Sequence, residues 1–305
     1  MTDTGASRPD PTAIGETSSP PFVRLPEPRT LFARRAARFR DLAKGAELGP
    51  YLGFLGRLCD VQHALQDGLA DASPPPAEVV ARARTHAMPP IDRSAAVTDE
   101  SFMAIFDRLV AGARDIDMPD AARAALGRLA EADGGGRIAL AEAVVAGHAP
   151  VEAIAEHVFT AAAVQVHFAR LASPLDPKAL VPVGEGVCPA CGGPPVSSMV
   201  VGWPGAHGNR FCVCSTCQTA WNHVRVKCCL CGETGGISYR EIEGGDGVVK
   251  AEVCEACAAQ VKVLHQVKDP DLDPVADDVA TLALDIKMRD EGIRRGGVDP
   301  FLIGW

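Results

Sequence analysis

Four cysteine pairs with C-x-x-C spacing, Cys188/Cys191, Cys214/Cys217, Cys228/Cys231 and Cys254/Cys257, constrain this chain more than any other feature. Adding 40 to the first four positions gives the last four, so the chain carries two tandem copies of C-x2-C-x22-C-x2-C. A repeat at fixed period marks a duplicated supersecondary unit. Two residues between cysteines let a tight turn aim both sulfurs at one point, and two such turns at hairpin tips complete a tetrahedral four-sulfur site. Gly192 and Gly232 follow the second sulfur of the first turn in each copy, where a positive φ is easiest for glycine.

Other uses of cysteine fit this pattern less well. A thioredoxin-like dithiol needs one C-x-x-C on a βα turn, and ferredoxin-type clusters prefer runs such as C-x2-C-x2-C. Disulfides suit exported chains, whereas the first 21 residues hold neither a basic nor an apolar signal region. The chain therefore reads as cytoplasmic, with reduced cysteines. Sequential pairing is simplest: Cys188, Cys191, Cys214 and Cys217 form one site, and Cys228, Cys231, Cys254 and Cys257 the other; nested pairing stays open. Four thiolates accept zinc or a single rubredoxin-type iron, and ligand type does not separate them. They leave no open coordination position, so the sites read as structural or electron-transferring rather than hydrolytic. Of the three remaining thiols, Cys59 reads as a small core residue, and Cys212 and Cys229 as bystanders.

Around the cysteines the reading is α+β: an N-terminal all-α domain, tandem rubredoxin-like or zinc-ribbon-like four-cysteine modules, and a C-terminal helix. Residues 1–25 are rich in Ser, Thr, Pro and Gly and read as a disordered tail, and residues 26–172 as a helical domain. Thr30 is expected to cap a helix over 31–44 that stops at Gly45, and Pro50 to open a second with the stripe Tyr51, Phe54, Leu55, Leu58, Val61 and Leu65. Further helices are expected over 76–86, around Phe102–Val110 and Ala122–Leu129, and over 137–146 and 150–172, with Gly134–Gly136 as a flexible turn. The last helix presents Ile154, Val158, Ala161, Val164, Phe168 and Leu171 on one face, and an all-α bundle covers such stripes. Residues 173–187 read as a linker and 188–270 as the metal modules, with β-like runs at 220–227 and 248–253. In residues 271–305, Asp273 and Pro274 read as the start of a helix to about Gly292, followed by an apolar tail that packs. Asp277 and Asp278 are expected as favourable charge at that helix start. Each module has few apolar residues, so chelation is expected to melt 188–270 while the helices persist.

Composition removes other functions. The net charge is −9, and the stretch 188–270 holds seven basic and seven acidic side chains, so no electrostatic footprint supports nucleic-acid binding. The best apolar stretch, 153–172, is interrupted by Glu156, His157, Gln165, His167 and Arg170, which argues against membrane insertion. There is no Walker A loop, H-E-x-x-H or G-x-S-x-G motif, so the chain reads as no enzyme. His157 and His167 share a helix but stand ten apart, which makes a joint metal site unexpected.

The segments CPACGGPPVSSMV (188–200), RFCVCSTCQTAWNHVRVKCCLCG (210–232) and AEVCEACAAQVKVLHQVKDP (251–270) resemble the formate dehydrogenase accessory protein family. The similarity continues through PVADDVATLALDIKMRDEG (274–292) and VDPFL (298–302), and more loosely through LFARRAARFRDLA (31–43) and Tyr51–Phe54. The resemblance implies a cytoplasmic assembly factor required for active respiratory formate dehydrogenase, in contact with its catalytic subunit before export. It implies rubredoxin-type iron at the eight paired cysteines, with zinc as the alternative occupant, and leaves Cys212 and Cys229 outside the pattern. A redox protein donating electrons during maturation of the dehydrogenase is the alternative function.

Overall fold

A computed structural model of the chain describes residues 19–148 and 151–302. The architecture is α+β, in the expected order of helices, strand-rich cysteine region and C-terminal helices. After strand β1 (Val23–Arg24) come helices α1 (Pro28–Leu42), α2 (Gly49–Ala64), α3 (Ala77–Thr85), α4 (Arg93–Val97), α5 (Glu100–Ala113), α6 (Asp120–Glu131) and α7 (Gly134–Ala146). A 3-10 turn, Val151–Ala153, then leads into α8 (Ile154–Ala172). Strands β2 (Pro195–Val200), β3 (Arg210–Cys214), β4 (Ala220–His223), β5 (Ile237–Arg240), β6 (Val249–Cys254) and β7 (Ala259–His265) follow. Helices α9 (Ala276–Ala280) and α10 (Leu282–Asp290) and strand β8 (Arg294–Arg295) end the described chain.

Local chemistry explains where helix starts differ from expectation. Pro28, whose fixed φ suits a first turn, opens α1 ahead of Thr30. Gly134–Gly136 is the first turn of α7 rather than a free turn, because the Asp133 carboxylate accepts from the Gly136 N–H at 2.7 Å. Asp92 and Asp99 cap α4 and α5 in the same way. Helix α8 is not amphipathic: every residue from Glu156 to Ala169 is buried, because α2, α5, α6 and α7 pack around it. Its run Ala161–Ala163 lets neighbours approach closely, and Gln62 Nε2 donates to the Ala162 carbonyl at 2.9 Å.

The strands form one sheet ordered β1-β4-β3-β2-β7-β6-β5, with β8 on β7. The two sequence copies meet where β2 runs parallel to β7, Ser198 opposite Val263. The modules are therefore halves of one sheet, and their interior is not poor in apolar residues: Val196, Phe211, Val261 and Leu264 are all buried. A single core runs from the bundle through the first cysteine group into this sheet. Strand β1 pairs with β4, so the expected tail holds a buried residue, Val23, in its last part; residues 1–18 lie outside the described chain.

The helix expected to about Gly292 breaks at Thr281, whose hydroxyl donates back to the Asp277 carbonyl at 2.7 Å. Asp273 does cap its start, accepting from the Val275 and Ala276 N–H groups at 3.0 and 2.9 Å. Asp277 and Asp278 do more than favour a helix terminus. Both Asp277 oxygens accept from Arg38, one from Nε at 2.9 Å and the other from Nη2 at 2.6 Å, and buried Asp278 pairs with Arg295 and Lys262. The tail packs as expected through Phe301 and Leu302, with the Tyr51 hydroxyl donating to the Phe301 carbonyl at 2.7 Å; residues 303–305 lie outside the described chain.

Candidate metal centre

Each copy builds its site from two turns. In the first turn, the Cys188 N–H donates to the Gly193 carbonyl at 2.9 Å and Gly192 N–H returns to the Cys188 carbonyl at 2.9 Å. The second copy repeats this: Cys228 N–H to Glu233 at 2.8 Å, and Gly232 N–H to Cys228 at 3.0 Å. The turns close because Gly192 and Gly232 sit at φ 75° and 79°. The second turns use a conformation that the spacing argument missed: Gln218 and Ala258, directly after Cys217 and Cys257, are left-handed at φ 63° and 51°. They are 40 positions apart, so the repeat itself carried the signal.

The structure brings together the residues of sequential pairing. Cys188, Cys191, Cys214 and Cys217 have all four sulfurs within 4.8 Å of one another, and so do Cys228, Cys231, Cys254 and Cys257. Sulfurs stand 3.6 Å (Cys188–Cys217) and 3.5 Å (Cys191–Cys214) apart in the first group, and 3.9 Å (Cys228–Cys257) and 3.7 Å (Cys231–Cys254) in the second. A disulfide needs about 2.05 Å. Metal–sulfur bonds of about 2.3 Å in a tetrahedron put sulfurs about 3.8 Å apart, so both groups fit one four-coordinate ion each.

The surroundings are prepared for thiolate charge. Thr216 and Cys217 N–H groups each lie 3.4 Å from Cys214 Sγ, and Leu230 N–H lies 3.4 Å from Cys228 Sγ. A Cβ on Gly193 would come within 3.0 Å of Cys214 Sγ, so only glycine leaves room there. Burial pushes the Cys188 and Cys217 thiols up. At Cys214 burial acts in the same direction, but hydrogen bonds from the neighbouring thiols outweigh it and hold this thiol well below the usual range. In the second group the Glu233 backbone amide leads in lowering Cys231.

The groups differ in exposure. All four sulfur residues of the first are 0% exposed; in the second, Cys228 and Cys254 are buried, Cys257 is half-buried and Cys231 is exposed. Cys59 is buried in the core as expected. Cys212 and Cys229 join neither group and lie buried together beside the Arg210 guanidinium, itself clamped by both oxygens of Glu252 at 2.8 and 2.9 Å. Burial lowers His157 and His167, ten positions apart on α8, to about 4. No helix among the described residues is long and apolar enough to cross a membrane.

Fold and site together define a helical bundle fused to a duplicated four-cysteine ribbon sheet. Comparison with known families matches FdhE, N-terminal, over residues 20–185, FdhE, central domain, over 187–225, and FdhE, C-terminal domain, over 226–302. The chain is 47% identical over 300 residues to the Protein FdhE homolog of Rhizobium meliloti (strain 1021), covering 98% of each. It is 38% identical over 284 residues to that of Edwardsiella ictaluri (strain 93-146), covering 91% of this chain and 90% of the relative. The crystal structure of the FdhE protein from Pseudomonas aeruginosa superposes with a TM-score of 0.83 at 33% identity, covering 93% of this chain and 99% of that one. The chain belongs to the FdhE family.

Proposed function

We propose that this chain is a cytoplasmic assembly factor for respiratory formate dehydrogenase, which binds the catalytic subunit before export and performs no catalysis of its own. Each four-cysteine group holds one resident ion, iron in the rubredoxin manner with zinc as the alternative. The observation that carries this reading is the pair of closed four-sulfur groups in a chain that matches FdhE over nearly its whole length. Four sulfurs satisfy a tetrahedral ion and leave no position for a substrate or water, which suits a scaffold rather than a hydrolytic centre. The division into a helical domain over 26–172, a linker over 173–187 and the metal-bearing part over 188–270 is part of the same proposal. The exposure of Cys231 favours a second reading, in which an iron at the second site passes electrons to the partner during maturation.

Affinity capture with the full chain, from cells expressing formate dehydrogenase, tests the first reading. It should recover the catalytic subunit, and a strain lacking this protein should lose formate dehydrogenase activity. Full activity in that strain under all growth conditions would refute the assignment. Replacing Cys188 and Cys191 with Ser should release one ion of two. If binding then stays intact while dehydrogenase activity falls, and the iron of the intact protein shows reversible reduction, the electron-transfer reading is the better one.

A further inference from the structure

Six large apolar side chains are exposed among the described residues, and five of them, Val224, Val226, Tyr239, Ile242 and Val267, belong to the second half of the sheet and its flanking loops. The sixth, Met88, is on the helical side. Arg225 stands between two of these valines, with its guanidinium donating to the Gly208 carbonyl at 3.4 Å and its charge acting on both Tyr239 and His265. Lys268 and Lys250 converge on the same His265 ring, which burial and these three cations hold below its usual range. Glu241 is the carboxylate that faces this ring, and it is taken by Lys250 at 2.8 Å. Arg225 and Lys268 have no ion-pair partner among the described residues; Lys268 donates to the Gly247 carbonyl at 3.1 Å. In a chain of net charge −9, this face combines unpaired cations with most of the exposed large apolar surface.

We infer that this face is a docking surface for a partner protein that presents an acidic, apolar segment. Clustered exposed apolar side chains mark interaction sites, and Arg and Tyr are common anchors in them. Unpaired cations among them select an acidic partner and speed encounter. Ile242 lies between Glu241 and Glu243, with Asp246 close behind in sequence, so the partner's acidic groups must fall beside Arg225 and Lys268 and its apolar ones beside Ile242; a surface of mixed charge suits a protein of matching pattern rather than a uniformly anionic lipid surface. The partner's identity rests on the proposed function: it is the catalytic subunit of formate dehydrogenase.

The test measures binding of the metal-loaded full chain to purified catalytic subunit, for wild type and for Arg225→Glu, Val226→Asp and, as a control on the helical side, Met88→Asp. Metal content and helical circular dichroism confirm that each variant is folded. Arg225→Glu and Val226→Asp should each weaken binding roughly tenfold or more, and Met88→Asp should leave it unchanged. Wild-type affinity should fall with added salt, and the slope should flatten in Arg225→Glu. Wild type binding well while both ribbon variants bind within twofold of it would overturn the surface and leave the partner standing. Wild type failing to bind would overturn the functional reading and the surface with it. Tight binding to phosphatidylserine vesicles, lost in the same variants, would also overturn it and assign the face to a membrane.

Discussion

Replacing Arg35 with Met should loosen the first cysteine group from the helical bundle. Arg35 is fully buried on α1, and its guanidinium reaches three separate elements: Asp273 Oδ1 at 3.0 Å, Gln165 Oε1 at 3.3 Å and Gln218 Oε1 at 2.6 Å. Gln218 is the left-handed residue directly after Cys217, so this one side chain holds the second turn of the site against α1 and α8. Met has a similar stem, so the change removes charge and hydrogen bonds more than packing. Removing one partner of a buried ion pair costs about 3–5 kcal/mol. Asp273 keeps its two backbone donors, and Gln218 keeps its own bonds to the Cys214 and Ser215 carbonyls, which places the expected loss near the lower end, ~3 kcal/mol. Urea unfolding of the metal-loaded chain, followed by helical circular dichroism and by metal release, measures it. The double variant Arg35→Met/Asp273→Asn should be more stable than the sum of its singles implies, by about 1–2 kcal/mol, because no charge is then left buried and unpaired. A loss below ~1 kcal/mol for Arg35→Met, or strict additivity in the double variant, would show that the clamp does not carry the junction.

Chelation should remove the two ions in separate phases, the second site first, since Cys231 is exposed and the first group is fully enclosed; a single phase in a chromogenic-chelator assay counts against this. Acid should destabilise the chain partly through His167: its folded value of about 4 lies below the unfolded one, so its contribution is fully present above about pH 6.5 and is lost as pH falls toward 4. Between pH 6.5 and 5 that amounts to roughly 1.5 kcal/mol of unfolding free energy, which His167→Gln should not lose; equal pH slopes for the two proteins would be the contrary result. Ala258→Gly should raise thermal stability by up to about 1 kcal/mol, because Ala258 is exposed at φ 51° and glycine adopts that conformation without strain; a lower midpoint would mean that the turn is not strained.

The cysteine groups were legible because a local geometric demand, two sulfurs per turn, was written twice at one spacing. The same register pairs Gly192 with Gly232 and Gln218 with Ala258, so the turn conformations were also present in the sequence for anyone carrying the offset one residue further. Strands β2 and β3 were not legible. All their residues are buried, so they lack the alternation that marks a strand with one face in water. Helix α8 misled in the same direction, since its apolar stripe is part of a surface buried all round. The aspartates of α9 show a different limit. Asp277 next to a helix start reads as favourable charge, but its partner Arg38 lies 239 positions away, and only the packed chain brings the two together. Gly134–Gly136 was misread because one preceding carboxylate, Asp133, turns three flexible residues into a helix start.

Identical spacing did not make identical sites, and the reason lies in what each half of the sheet packs against. The first group is enclosed by the bundle: Ile91 N–H donates to the Ala190 carbonyl at 3.1 Å inside its first turn, Gln165 Nε2 reaches the Ser215 carbonyl at 3.0 Å inside its second, and Arg35 holds Gln218. The second half is backed chiefly by α10, through a small cluster of Ala251, Val253, Leu284 and Met288, and Arg294 donates to the Cys257 carbonyl at 3.3 Å from the rim. Loss of an ion from the first site would therefore act on the core shared with the helices, whereas loss from the second would act mainly on β5 and β6 and the small α10 cluster, since β7 is held by the main core through Val261 and Leu264. Val224, Arg225 and Val226 lie in the loop that runs directly into Cys228, so an ion held at the second site would also fix one border of the face assigned to docking. Stripping that ion alone should weaken partner binding while helical circular dichroism stays intact. Stripping both should lower the helical unfolding midpoint as well. If binding instead survives removal of the second ion and fails only with the first, the docking face belongs on the bundle side of the sheet.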